Sequence, residues 1–181
     1  SDNGHSVRLV GTHLDKATID SCVGKNFHPR LRRHLPKNVK PYYIEQIADA
    51  LDGAEVIVSG VSSPGVHWIG KTLCPYLRPG MKIIAVTKGL EAATDGHLKI
   101  LPDVLADEFP VNLRDKITLA AIGGPCIAGE LAGRRHTCVY FASRDAAALP
   151  KFRELFKTPY YHIFLSTDLI GVEVCVALKN A

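Results

Sequence analysis

The chain has 181 residues, which is enough for one sizeable domain or for one domain and the start of another. Hydrophobic residues make up 46% and charged residues 22%, a globular composition that excludes a disordered or fibrous protein. The formal net charge is only +4 and the cations are scattered, so we expect no nucleic-acid partner. No apolar stretch approaches membrane-spanning length and the start carries no signal peptide, so we expect no membrane insertion.

The cysteines lie far apart in the sequence and are odd in number. They are Cys22, Cys74, Cys126, Cys138 and Cys175. Their spacing argues against both a disulfide framework and a zinc site, so we expect no metal. A reducing cytosol is the simplest home for such a chain, and we therefore expect a cytoplasmic protein.

Short apolar runs alternate with longer amphipathic segments along the whole chain. The predicted strands are Val7–Val10, Val56–Val61, Lys82–Val86, Ile117–Ile122, Cys138–Ala142 and Tyr161–Leu165. The predicted helices are Asp15–Val23, Ile44–Leu51, Gly65–Leu77, Ile100–Glu108, Cys126–Ala132 and Asp145–Phe156. The strands are mostly uninterrupted by polar residues, as in a parallel sheet buried on both faces. The pattern predicts an α/β fold with a doubly wound parallel sheet.

The two ends of the chain predict a truncated domain. Ser1–His5 is typical of a turn between a helix and a strand, and the pattern stops inside a helix at Asn180 and Ala181. A doubly wound sheet begins with a central strand and a glycine-rich turn for the dinucleotide pyrophosphate, and the sequence contains no such unit. Without that strand the sheet has unpaired edges. We expect further residues or another copy, as a homodimer, to complete the sheet, or else poor solubility.

In open α/β sheets, ligands bind beyond the carboxyl ends of the strands, so the turns that follow the apolar runs are informative. The turn Gly60–Gly65 lets a ligand approach the backbone and carries Ser62 and Ser63 at a helix N-terminus. Ser63 is equally well interpreted as a helix cap. Lys88, between Thr87 and Gly89, directly follows a buried strand, where it is either a ligand for a phosphate or cofactor amide or a solvated loop lysine.

A third turn carries two glycines, Gly123 and Gly124, before a new helix. Pro125 is expected to preset the first helical turn, whose free N–H groups would face an anion. Cys126 lies at the mouth of that turn. A small filler residue is favoured there over a nucleophile, because no histidine is placed to activate the thiol.

The last segment, Asp168–Ala181, predicts a helix that Asp168 or Thr167 caps. The helix is apolar nearly all round, so we expect it to be buried between two bodies of protein. It presents Lys179 and then Asn180. Because burial of an ammonium is costly unless it is paired or its pKa falls, Lys179 is a candidate proton donor beside a nicotinamide, with a structural role as the alternative.

Taken together, these motifs resemble the soluble NAD(P)-dependent glycerol-3-phosphate dehydrogenase family. The matching segments are Thr87–Glu91, Gly124–Glu130 and Gly171–Asn180, with Asp2–His5 and Val7–Leu9 resembling the family's first helix-to-strand turn. The likeness covers essentially the whole chain, in order. It implies that residues 1–166 form an NAD(P)-binding Rossmann domain, incomplete at its N-terminus. It also implies that residues 167–181 begin an all-α substrate domain.

The resemblance further implies hydride exchange between NAD(P)H and dihydroxyacetone phosphate, giving sn-glycerol 3-phosphate for glycerophospholipid synthesis. Lys179 would then be the proton donor and acceptor at the substrate C2 oxygen, with Asn180 beside it in the substrate site. Lys88 would contact substrate and cofactor. Gly124 and Cys126 would lie in the substrate pocket, and Ala128 in the cofactor site.

The sequence departs from the family at several points. The glycine-rich turn on the first strand and most of the helical domain are absent, and Cys126 stands where serine, threonine or asparagine is usual. After the run Val7–Val10, neutral Thr12 and His13 replace the acidic residue of NAD-selective domains. These two residues would tolerate a 2′-phosphate, which mildly favours NADP over NAD, although ordinary turn chemistry explains them equally well.

Two other functions compete with this one. The chain is alternatively interpreted as a related Rossmann reductase of the 2-hydroxyacid or ketopantoate type. It could also be a non-catalytic nucleotide-binding fragment. Lys88 and the segment Gly124–Glu130 speak against the first, and the presence of both Lys88 and Lys179 speaks against the second. For the 181-residue chain alone we expect no catalytic activity.

Overall fold

The computed structural model describes residues 1–179, which form two compact units with separate sheets. In chain order the strands are β1 (Val7–Val10), β2 (Phe27–His28), β3 (Arg33–His34), β4 (Val39–Tyr42), β5 (Val56–Ser59), β6 (Lys82–Ala85), β7 (Leu90–Ala92), β8 (Leu98–Ile100), β9 (Thr118–Gly123), β10 (Thr137–Ala142) and β11 (Tyr161–Ser166). The helices are α1 (Lys16–Lys25), α2 (Ile47–Leu51), α3 (Val66–Leu73), α4 (Leu101–Asp107), α5 (Val111–Arg114), α6 (Ala128–Ala132), α7 (Leu149–Phe156) and α8 (Leu169–Leu178).

The first unit comprises Ser1–Ala54 and Ile127–Arg135. Its main sheet is the parallel pair β1 and β4, joined through α1 and the short antiparallel hairpin β2–β3. Helix α1 buries Ile19 and Cys22 and ends at Asn26, whose left-handed backbone closes the last turn. This unit therefore contains one βαβ crossover.

The second unit comprises Glu55–Cys126 and residues from His136 onward. Its sheet has the strand order β11-β10-β9-β6-β5, and β5, β6 and β9 run parallel. Because these three strands are parallel, their carboxyl ends lie at one edge of the sheet. The central strands carry fully buried residues, including Ile83, Ile84 and Ala121. A small antiparallel hairpin of β7 and β8 follows β6.

The α/β fold and its six main strands were predicted correctly, but the sheet is not parallel throughout. Strand β10 runs antiparallel to β9, whereas β11 is parallel to β10. The short or irregular strands β2, β3, β4, β7 and β8 were not predicted. They have two to four residues each, and β4 contains Pro41, so their hydrophobic pattern is weak.

The predicted unpaired strand edges are present within residues 1–179. Strand β1 pairs with β4 alone, and β5 pairs with β6 alone. The domain boundary after residue 166 remains a prediction. Helix α8 begins at Leu169 and packs against β9 and β10 within the second unit. No helix of the described chain has the length and apolar character needed to cross a bilayer.

Candidate functional site

Two loops at the carboxyl ends of β5 and β6 are joined by hydrogen bonds in the second unit. The Ser63 hydroxyl donates to the backbone carbonyl of Lys88 at 3.0 Å. The Thr87 hydroxyl donates to the carbonyl of Val61 at 2.6 Å. Ser63 therefore does not cap the following helix, as one interpretation of the sequence had it, because its hydroxyl is engaged by the neighbouring loop. Ser62 is the N-cap residue of that short turn, without a side-chain capping bond.

Lys88 is thus carried by a loop whose backbone is fixed while its side chain is exposed. Thr87 is buried and holds the loop in place through its hydrogen bond to Val61, whereas Lys88 lies at the edge of the sheet. A fixed backbone under a long cationic side chain is suited to binding a phosphate or a polarised oxygen. The predicted position of Lys88 at the carboxyl end of a buried strand is confirmed.

The turn after β9 depends on two glycines for different reasons. A Cβ on Gly123 would lie 2.4 Å from Val172 Cγ1, so α8 approaches the strand more closely than any other residue would allow. Gly124 has φ +140°, and a Cβ there would lie 3.0 Å from the carbonyl oxygen of Cys138. The two glycines therefore bring α8 and β10 against the end of β9.

The segment after these glycines differs from the sequence-based prediction. Pro125 and Cys126 precede the helix, because Ile127 has extended backbone angles and α6 begins only at Ala128. Pro125 therefore does not preset a helical turn. Cys126 is partly buried in the second unit. Burial of Tyr161 raises the pKa of its hydroxyl, and the negative charge of a Cys126 thiolate adds to that effect. Ala128 is exposed and belongs to the first unit.

Helix α8 begins as predicted but is less buried than expected. The Asp168 side chain accepts a hydrogen bond from the Gly171 N–H at 2.8 Å and caps the helix. Only Leu169 and Glu173 are buried, whereas Ile170 and Leu178 are 54% and 56% exposed. Packing against the sheet covers one face of the helix and leaves the opposite face exposed.

Lys179 follows the last turn of α8 and is exposed, so the expectation of a buried ammonium is wrong for the described chain. The reason is the same one-sided packing, because Leu178 next to it is also exposed and the sheet does not cover this end of the helix. Asn180 lies outside the described residues. The catalytic role of Lys179 therefore remains a prediction.

Glu173 is a site residue that the sequence analysis did not single out. Its side chain is completely buried, and neither carboxylate oxygen has a hydrogen-bond partner within residues 1–179. Burial raises its pKa to about 7, and the charge of Lys88 acts in the opposite direction. The sequence contains one signal for this residue. Glu173 is a lone carboxylate in an otherwise apolar helix, four residues after Leu169 and therefore on the same face.

A second charged cluster lies next to the Lys88 loop. His67 on α3 lies between two carboxylates, with Nδ1 2.6 Å from Glu108 Oε1 and Nε2 2.9 Å from Glu91 Oε2. The hydrogen bond to Glu108 and then that to Glu91 raise the pKa of His67. Glu91 belongs to the motif Thr87–Glu91, so this cluster connects the start of β7 to α3 and α4.

Thr12 and His13 lie in the first unit, at the carboxyl end of β1. They line a small pocket of about 130 Å³ together with Lys16, Tyr43 and Glu45, among others. The backbone N–H and the hydroxyl of Thr12 both donate to Asp15 Oδ2, at 3.1 and 2.6 Å. These bonds lower the pKa of Asp15, so the carboxylate is ionised and already engaged.

The predicted site residues are thus divided between the units. Ser62, Ser63, Lys88, Gly124, Cys126 and Lys179 belong to the second, and Thr12, His13 and Ala128 to the first. Within the second unit, parallel pairing brings the loops after β5, β6 and β9 to one edge of the sheet. That edge carries a cation, small residues and a buried carboxyl group, and it lies where ligands bind in open α/β sheets.

The chain is similar to glycerol-3-phosphate dehydrogenases in both sequence and structure. It is 36% identical over 179 residues to the NADP(+)-dependent glycerol-3-phosphate dehydrogenase of Archaeoglobus fulgidus, covering 99% of this chain and 52% of that protein. It is 32% identical over 182 residues to the glycerol-3-phosphate dehydrogenase [NAD(P)+] of Streptococcus gordonii, covering 99% and 51%. The chain therefore spans about half the length of these relatives.

Comparison with solved structures gives the same result. The crystal structure of glycerol-3-phosphate dehydrogenase from Coxiella burnetii superposes with a TM-score of 0.84 at 26% identity, covering 99% of this chain and 52% of that one. The fold is therefore of the Rossmann type. The family model for the N-terminus of NAD-dependent glycerol-3-phosphate dehydrogenase matches residues 1–149. The chain belongs to the NAD-dependent glycerol-3-phosphate dehydrogenase N-terminus family.

Proposed function

We propose that the chain is the nucleotide-binding part of an oxidoreductase that interconverts dihydroxyacetone phosphate and sn-glycerol 3-phosphate with NAD(P)H, for glycerophospholipid synthesis. The observation that carries this proposal is the position of Lys88. Its loop is fixed by Ser63 and Thr87 at the edge of the sheet where β5, β6 and β9 end. Membership in the dehydrogenase family supports the choice of substrate.

The proposed chemistry divides the work between two lysines. When bound, the reduced nicotinamide supplies a hydride to the carbonyl carbon of the substrate. Lys179 donates a proton to the C2 oxygen as that oxygen becomes an alkoxide, and it takes the proton back in the reverse direction. Lys88 attracts the phosphate and the developing negative charge. Asn180, Gly124 and Cys126 complete the substrate pocket in this proposal.

The proposed cofactor residues are Thr12, His13, Ser62, Ser63, Lys88 and Ala128. The pocket after β1 is lined by His13 and by the cation Lys16, whose ammonium also pairs with Asp20 at 2.9 Å. A 2′-phosphate would be accepted there, and this favours NADP(H) over NAD(H), although Glu45 also lines the pocket. Comparison of kcat/KM for NADPH and NADH tests this preference.

The substrate is tested by assaying the product of the complete reading frame in which this sequence occurs. We expect NADPH oxidation that depends on dihydroxyacetone phosphate and is absent with ketopantoate or with ketone substrates that lack phosphate. Turnover of ketopantoate without any phosphate requirement would instead establish the related reductase. Cofactor binding without turnover of any substrate would indicate a non-catalytic nucleotide-binding protein.

We further propose that the protein acts in the cytoplasm, where the reduced state of its five thiols is maintained. A homodimer is the proposed assembly, because the edges of β1 and β5 are unpaired within residues 1–179 and a second copy could cover such an edge. Light scattering coupled to size-exclusion chromatography tests the assembly, and a monomer at all concentrations would contradict it.

A further inference from the structure

Burial of the Glu173 carboxylate is energetically unfavourable unless a positive charge nearby compensates its negative charge. The residue lies on α8 one turn after Leu169, which packs in an apolar cluster with Ile100, Ala121 and Ala142. The Glu173 side chain is completely buried, and both carboxylate oxygens are without a hydrogen-bond partner within residues 1–179. A buried carboxylate of this kind lowers the stability of a fold, and its presence calls for an explanation.

The charged groups around α8 identify the compensating cation. Strands β9 and β10, which pack against the helix, contain no charged residue. In the hairpin β7–β8, Glu91 is bound to His67, and Lys99 pairs with Asp107 at 2.7 Å. Lys88 lies immediately before that hairpin, and Leu90, two residues after it, packs on the same apolar cluster as Val172, which precedes Glu173. The charge of Lys88 favours the ionised form of Glu173.

We propose that Glu173 is a positioning residue for Lys88: its buried carboxylate attracts the Lys88 ammonium and restrains it toward the edge of the sheet where β5, β6 and β9 end. This inference rests on the proposed function, in which Lys88 contacts the substrate. The loop backbone is already fixed by Ser63 and Thr87, so the remaining freedom of Lys88 lies in its side chain. The negative charge of the buried Glu173 carboxylate favours those rotamers of Lys88 that bring its ammonium closer to the carboxylate.

The first test uses the 181-residue chain and needs no activity. Glutamate side-chain carbons are followed by ¹³C NMR between acidic and alkaline pH, with Glu173→Gln assigning the Glu173 signal. We expect a midpoint near 7, as burial predicts. Lys88→Met should move that midpoint upward by about half a pH unit or more, whereas Lys71→Met, an exposed lysine on α3, should not. An unchanged midpoint in Lys88→Met would overturn the proposal.

The second test uses the product of the complete reading frame and separates positioning from structural support. If Glu173 positions Lys88, Glu173→Gln should raise KM for dihydroxyacetone phosphate several-fold without lowering thermal stability, and Glu173→Asp should recover part of the loss. Equal KM values in the wild type and Glu173→Gln would overturn the proposal. If the protein does not use this substrate at all, the proposed function fails, but the NMR test still decides whether Glu173 and Lys88 are coupled.

Discussion

The hydroxyl of Ser63 donates to the backbone carbonyl of Lys88 across 25 residues of sequence, and this bond joins the loops that follow β5 and β6. It is formed by an exposed side chain, yet it fixes the backbone of Lys88, an exposed cation at this edge of the sheet. The position of Lys88 is therefore determined by its partner loop as well as by its own strand.

Removal of this bond should loosen the Lys88 loop. We expect Ser63→Ala to lower the free energy of unfolding by about 0.5–1.5 kcal/mol, the usual net contribution of one hydrogen bond, measured by urea denaturation. Ser62→Ala is the matched control, because Ser62 forms no side-chain capping bond, and its effect should stay within about 0.5 kcal/mol. Equal losses in the two variants would show that the Ser63 bond does not stabilise the loop.

Close packing of α8 on β9 should make Gly123 intolerant of any side chain. The methyl group of Gly123→Ala would lie 2.4 Å from Val172 Cγ1, so we expect a loss of roughly 1–3 kcal/mol in unfolding free energy. Val172→Ala in the same chain should recover part of this loss by making room for the methyl group.

Gly129→Ala serves as the control for Gly123, because a Cβ at Gly129 meets no atom within 4 Å and alanine favours a helix. It should leave the unfolding free energy unchanged or raise it. If Gly123→Ala were equally neutral, the close approach of α8 to the end of β9 would be wrong.

Some of these features could be predicted from the sequence, and others could not. The strands β5, β6 and β9 were predictable because they are continuous apolar runs, and the position of Lys88 follows from the end of such a run. The antiparallel direction of β10 was not predictable, because the hydrophobic pattern of a buried strand does not depend on its direction.

Side-chain environments were harder to predict than strands. Ser63 was a plausible cap from local sequence, but a residue 25 positions away accepts its hydrogen bond. Glu173 is part of a recognised motif, yet its burial depends on which face of α8 meets the sheet. For Lys179 the apolar helix suggested burial, whereas the sheet covers only one face of that helix. Each of these outcomes depends on tertiary contacts that periodicity does not encode.

The His67 cluster should make stability depend on pH in a defined direction. Its carboxylate partners raise the pKa of His67 above the ordinary 6.5 in the folded chain. The stabilisation is therefore fully present below 6.5 and is lost as the pH rises through the raised value. The free energy of unfolding of the wild type and of His67→Gln is measured in urea between about pH 5.5 and 9. The difference between the two values should shrink as the pH rises. A constant difference would mean that His67 is not charged in this cluster.

Glu173 should lower stability at neutral pH. Its pKa is raised from 4.5 to about 7 by burial, so the folded chain binds more protons than the unfolded chain between these values. Stability therefore falls as the pH rises from 4.5 to about 7 and stays reduced above that. Glu173→Gln should be more stable than the wild type at pH 8 by roughly 1–3 kcal/mol. Glu154→Gln, an exposed control on α7, should show no such gain.

We propose that this chain forms the nucleotide-binding half of a dihydroxyacetone phosphate reductase in which Lys179 transfers the proton. The most direct measurement is the initial rate of NADPH oxidation by the product of the complete reading frame, for the wild type, Lys179→Met and the exposed control Lys151→Met. We predict a rate that requires dihydroxyacetone phosphate, falls by about 10²–10⁴-fold in Lys179→Met and is unchanged in Lys151→Met. Full activity in Lys179→Met, or no activity in the wild type with this substrate, would contradict the account.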